Sequence, residues 1–279
     1  MPADPLQSFA GQLLSHLAGD AVAAPGWPHF LAAMVLVMVR LSGLMVFAPV
    51  FSSDAIPARV KAVFVLAVSC LIAPAVSALP LAHAEIGFAS VLGELGIGLL
   101  FGLSLSLLNE ILTFAGQLLG FQFSFSLVNL LDPDSPIQTP LLSQMFTVLG
   151  TLVLLGSGLH RTILLALLRS FRDAPVGSLA FDSHTGLALV FAMSGVFFAA
   201  LQLAAPVIAA TLLVEVVISV LGKLSPQLPV MMIAVPAKTM LGYIVLIGSL
   251  ALWPRFIESR FSQLLDGAEQ ILRHSVIAR

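Results

Sequence analysis

The chain has 279 residues, of which 59% are hydrophobic and only 9% charged, with a mean hydropathy of +1.06. Soluble domains run about 45–50% apolar and about 25% charged, so this composition excludes a soluble enzyme and a disordered segment. A net charge of −2 adds a nucleic-acid binder to the exclusions.

The N-terminus, Met1-Pro-Ala-Asp-Pro5, lacks the basic stretch of a cleavable signal, and the first basic residue is Arg40. The apolar segments themselves are therefore expected to direct insertion. A first stretch, 30–53, is broken only by Arg40; uncharged runs follow at 62–84, 95–109, 111–131, 135–160, 183–214 and 239–254. A spanning helix needs about 20 apolar residues, so six or seven spans are expected, seven by direct count. The 183–214 run, extended to Gly222, is too long for one perpendicular span, and Pro206 is expected to kink or divide it.

Segments 1–29, 82–86 and 132–140 carry no Lys or Arg. Arg59 and Lys61, then Arg161, Arg169 and Arg172, then four arginines in 255–279 mark the opposite side. Seven crossings with this bias put the N-terminus outside and the C-terminus in the cytoplasm.

Arg40, Glu94, Glu215 and Lys238 lie in or beside apolar stretches, where a charge costs about 2.5–3.5 kcal/mol at the bilayer centre. Glu94 and Glu215 suit either proton relay or a buried structural pairing, for instance with Arg40 or Lys238. Seventeen prolines and twenty-one glycines imply many broken helices. Irregular backbone survives at membrane depth only inside protein or beside a wet cavity. Gly98-Leu-Leu-Phe-Gly102 and Gly116-Gln-Leu-Leu-Gly120 have the small-xxx-small spacing that lets helices approach closely. Near the C-terminus Ile257, Phe261, Leu264, Ala268 and Leu272 recur at helical spacing. That amphipathic helix, about 255–279, suits a membrane surface, a partner, or ordinary terminal packing.

Catalytic signatures are missing. Gly222-Lys223-Leu224 lacks the rest of a P-loop, and Gly96-Ile-Gly98 is followed by glycine one residue too late for a dinucleotide fingerprint. The histidines at 16, 29, 83, 160, 184 and 274 show no metal-ligand spacing, and the single cysteine, Cys70, excludes an intrachain disulfide. His160 beside Arg161 is expected to end a hydrophobic helix, where a cation suits the dipole. Asp132-Pro-Asp134-Ser-Pro136 reads as a turn with capping aspartates. In Gly120-Phe-Gln-Phe-Ser-Phe-Ser-Leu127 the phenylalanines alternate with polar residues at period two. Such a pattern fits an extended segment with aromatics on one side, either a constriction or an irregular core turn.

These pieces resemble the FliR family of flagellar export-gate proteins, kin of the SctT proteins of type III secretion. The resemblance begins with Arg40-Leu-Ser-Gly43, Ala48-Pro49 and Ile56-Pro-Ala-Arg-Val60. It continues through Glu94-Leu-Gly96-Ile-Gly98, Ala115-Gly116 with Gly120, Asp132-Pro133, Pro140 and Gly158-Leu-His160. Ser170-Phe171, Pro175-Val-Gly177, Ala205-Pro206, Leu221-Gly222 and Ser225-Pro-Gln-Leu228 complete it in order. Two positions depart: Pro229 stands where relatives usually carry a small polar residue, and Ser124 where some carry glycine.

The resemblance implies an all-α domain of hydrophobic helical hairpins over 1–279, many of them covered by partner subunits rather than lipid. It implies a non-enzymatic inner-membrane subunit of the flagellar basal body, with no cofactor and no metal. FliP-like and FliQ-like subunits would complete a cone-shaped channel for unfolded export substrates, with an FlhB-like protein nearby. Gly116, Gly120, Phe121, Phe123 and Phe125 would belong to its gate or plug. Arg40, Pro49, Pro57, Arg59, Glu94, Asp132, Pro133, Pro206, Pro226 and Gln227 would be structural or interface residues. The alternatives are an injectisome counterpart and, in another class, a small-solute secondary transporter; no convincing internal repeat supports the transporter.

Overall fold

The computed structural model describes residues 27–48, 51, 56–79, 86–123, 141–177, 183–225, 227 and 230–277. Among them the chain forms helices and no strand: α1 (Trp27–Phe47), α2 (Ala58–Ser77), α3 (Phe88–Gln122), α4 (Leu141–Gly156), α5 (Leu159–Asp173), α6 (Ser183–Leu224), α7 (Val230–Ser249) and α8 (Trp253–Ile277). A 3₁₀ turn, Leu250–Leu252, joins the last two.

Among the described residues five helical stretches are long and apolar enough to cross a membrane: α1, α2, α3, α6 and the run Met232–Arg273 through α7 and α8; the pair α4 and α5, counted as one broken span, makes six. The described residues thus give five or six, not seven. The runs 95–109 and 111–131 share α3, because Glu110 between them removes no backbone hydrogen bond and simply turns its side chain outward. Prolines break less than expected. Pro74, Pro206 and Pro236 all sit inside continuous helices, each removing one donor without ending its helix. The sharp break is at Ser157-Gly158, where α4 and α5 meet at 70° and Gly158 takes φ +71°, a conformation glycine adopts freely. Consequently His160 lies in the first turn of α5 and does not end a helix.

α3 is the spine. At 35 residues it runs about 52 Å, and α6, at 42 residues, about 63 Å. α1 lies along the first half of α3 with almost no gap between backbones. A Cβ on Gly98 would stand 2.1 Å from the Arg40 carbonyl oxygen, and one on Gly102 2.8 Å from that of Leu44. The Gly98–Gly102 spacing therefore marks an interface within this chain. α4 runs back along the second half, where Gly116 leaves room for Ser143, whose Oγ donates to the Thr113 carbonyl at 2.9 Å.

The terminal helix α8 packs as an ordinary core helix. It buries Trp253, Ile257, Phe261, Leu265, Ala268 and Leu272 against its neighbours; Leu265, not Leu264, is on the buried line. Polar contacts fix its register on α5: Ser157 Oγ donates to Glu258 at 2.6 Å, and Arg273 pairs with Asp173 at 3.0 Å. Start meets start and end meets end, so α5 and α8 run parallel.

Candidate functional site

Arg40 is fully buried in α1 and Glu94, 2% exposed, in the second turn of α3. The close approach of those helices brings them together, with Arg40 Nε donating to Glu94 Oε2 at 2.6 Å. The end of α5 supplies the remaining partners. Arg40 donates to Ser170 Oγ at 3.1 Å and to the Ala174 carbonyl at 3.0 Å, and the Ser170 hydroxyl in turn donates to the Leu167 carbonyl at 2.6 Å. Phe171 lays its ring 4.1 Å from the guanidinium carbon, a cation–π contact. The other Glu94 oxygen accepts from the Gly177 N–H at 3.0 Å. Gly177 has φ +79°, so the turn after α5 depends on a residue without a Cβ. Both carboxylate oxygens and three guanidinium nitrogens are thus satisfied inside one chain. Of the two uses open to Glu94, the structure shows the buried pairing with Arg40.

A second polar cluster lies where α3 ends against α6 and α7. Lys238 of α7 forms an ion pair with Glu215 of α6 and also donates to Gln122 Oε1 at 3.4 Å. Lys238 is mostly covered, its side chain 18% exposed, whereas Glu215 is 47% exposed. One residue on, the Phe123 ring stacks on Tyr243 at 4.8 Å between centroids and fills the space above Gly242.

This geometry corrects the extended reading of the aromatic stretch over 120–123; residues 124–127 lie outside the described residues. α3 continues to Gln122, so Phe121 and Phe123 point to different sides: Phe121 is 68% exposed and Phe123 5%. Gly116 and Gly120 are buried within α3. Phe125, Pro49, Asp132, Pro133 and Pro226 lie outside the described residues. Pro57 caps the start of α2, Arg59 and Pro206 are exposed on their helices, and Gln227 is exposed in the turn after α6. Ser170, Phe171, Ala174 and Gly177 were not expected as site residues, although most belong to fragments that carry the family resemblance. Lys238 was expected as a partner for an acid, but Gln122 beside it was not. Its signal was being an amide within an apolar helix.

The profile of the family described as bacterial export proteins, family 1, matches residues 31–264. The flagellar biosynthetic protein FliR of Pectobacterium carotovorum is 30% identical over 84% of this chain and 90% of its own length. The FliR protein of Aquifex aeolicus is 29% identical over 88% of this chain and 95% of its own, and that of Escherichia coli K12 26% over 88% and 94%.

Proposed function

Because the chain belongs to family 1 of the bacterial export proteins, we propose that it acts in flagellar protein export as a membrane-embedded subunit of the channel for unfolded substrates. It is a component of the flagellar type III export apparatus. The observation that carries this reading is the extent of the similarity, which reaches from α1 into α8 and so takes in every helix between. Relatives named as flagellar proteins favour the flagellar system over the injectisome and over a small-solute transporter.

In this reading the chain sits in the bacterial inner membrane as one unit. It assembles there with FliP-like and FliQ-like subunits, near an FlhB-like protein, and performs no catalysis of its own. The Arg40–Glu94 cluster is structural: it locks α1, α3 and α5 into the shape the assembly uses. The end of α3 carries the gate. Gly116 allows close packing on α4, Gly120 is buried one turn on, Phe123 anchors the helix end to α7, and Phe121 faces outward to contribute to the seal, with Phe125 following in the sequence.

Deleting the coding sequence in its own bacterium should abolish secretion of flagellar hook and filament proteins and swimming, and a plasmid copy should restore both. Normal secretion of flagellar subunits in the deletion strain would sink the proposal. Loss of a virulence secretion system alone would move the chain to the injectisome.

A further inference from the structure

Among the described residues, one face of α3 remains open once α1, α4, α6 and α8 have packed around it. That face is the line Leu92, Leu95, Leu99, Leu103, Ser106, Glu110, Thr113, Gln117 and Phe121, at spacings of three and four. Its character changes halfway. The first four positions are leucine; the next four are Ser, Glu, Thr and Gln. Ser106 turns its hydroxyl back to the Leu103 carbonyl at 2.8 Å, and Thr113 meets Thr147 of α4 at 3.4 Å. Phe114, next to Thr113, meets Phe197 of α6 at 5.4 Å. The polar half thus runs along α3 with α4 on one flank and α6 on the other.

Glu110 is exposed in the middle of this polar half and has no hydrogen bond or ion pair among the described residues. The contrast with the other acids on long apolar helices decides its meaning. Glu94 is paired with Arg40 and Glu215 with Lys238, as the cost of a bare charge in such surroundings requires. Glu110 has the same need, and no cation is supplied to it among the described residues.

We propose that this face of α3 is the docking surface for a helix of a neighbouring export-gate subunit, which is apolar where it meets Leu92–Leu103 and places a Lys or Arg against Glu110. The inference rests on the proposed function, because it requires the chain to work inside a multi-subunit assembly. Charge complementarity selects the occupant: a wholly apolar helix would strand the carboxylate, and an acidic one would repel it. Ser106, Thr113 and Gln117 border the carboxylate and accommodate the polar surroundings of the incoming cation.

The test uses the complex obtained by co-expression with the FliP-like and FliQ-like subunits, in a Cys70→Ser background. Glu110→Cys should resist a membrane-impermeant maleimide in the native complex and react fully after denaturation. Glu110→Lys should lower the yield of complex about tenfold, and Glu110→Asp should keep it close to the parent. Yield lost to Glu110→Lys should return when one Lys or Arg of a partner is changed to Glu. Free labelling of Glu110→Cys in the native complex would mean the face lines water, and Glu110→Lys assembling like the parent would mean no cation meets it; either result overturns the docking surface. Failure of the unmutated chain to form any complex would instead count against the proposed function.

Discussion

Arg40 gives up its hydration entirely, and the knot around it gives each of its three guanidinium nitrogens a protein acceptor. Such a pair adds little over a well-packed apolar pair, yet removing one member strands the other charge at about 3–5 kcal/mol. Arg40→Ala should therefore destabilise the purified assembly by about that amount, lowering its melting temperature, its yield and motility together. Replacing both members, Arg40→Met with Glu94→Leu, should recover most of the loss; a double variant as weak as the single would show that the cluster does more than hold shape. The same interface yields a steric prediction. A methyl group at Gly98 would collide with the Arg40 carbonyl, so Gly98→Ala should cost about 1–3 kcal/mol. Gly195→Ala, with nothing within 4 Å, should be neutral or gain up to about 1 kcal/mol from helix propensity. Both are read from the same thermal melts. The sequence shows that Arg40 and Glu94 need partners, but residues 54 apart have no register until backbone contact at Gly98 and Gly102 sets one.

At the scale of the helix, α3 explains both a success and a miss of sequence reasoning. The small-xxx-small spacings are legible because only glycine permits the approach: Gly98 and Gly102 sit against α1, and Gly116 of the second spacing sits against α4. The period-two aromatics mislead at their start because α3 stays helical to Gln122: residues two apart on a helix stand about 200° apart, so Phe121 faces out while Phe123 faces in. The terminal helix was open between three uses, and the contacts with α5 and α3 decide for packing, which no pattern of apolar residues alone can reveal. The division of labour at the end of α3 is testable. Phe123→Ala removes a buried ring from its stack on Tyr243 and should cost about 3–5 kcal/mol in the melting of the complex. Phe121→Ala should leave stability within about 0.5 kcal/mol while raising ion permeability in cells with matched amounts of complex. Unchanged permeability would remove Phe121 from the gate.

For the whole molecule the deciding quantity is length. The hydrocarbon core of a bilayer is about 30 Å thick, half the length of α6. Even a tilt of about 40° leaves α6 projecting about 48 Å along the normal, well beyond the hydrocarbon. This mismatch also explains why counting spans from uncharged runs gave seven instead of five or six: the count assumes that each run fills one bilayer crossing, whereas α3 absorbs two runs. Apolar residues recur on the outward side of α6 from Phe197 to Leu224, among them Phe198, Leu213, Val216 and Leu224, all at least 60% exposed. That line is about 40 Å long, and an upright helix leaves about 10 Å of it beyond the hydrocarbon, to be covered by protein. The chain expressed alone should accordingly run as polydisperse material in detergent, whereas co-expression with FliP-like and FliQ-like subunits should give one discrete complex on size-exclusion chromatography with light scattering. Leu213→Asp tests the cause directly. Facing lipid the carboxylate would cost about 2.5–3.5 kcal/mol and leave partner binding in place, whereas under a partner helix it buries an unpaired carboxylate in the contact and should prevent assembly. A monodisperse, folded monomer obtained without any partner would show that lipid or detergent suffices, and that α6 is not a subunit interface.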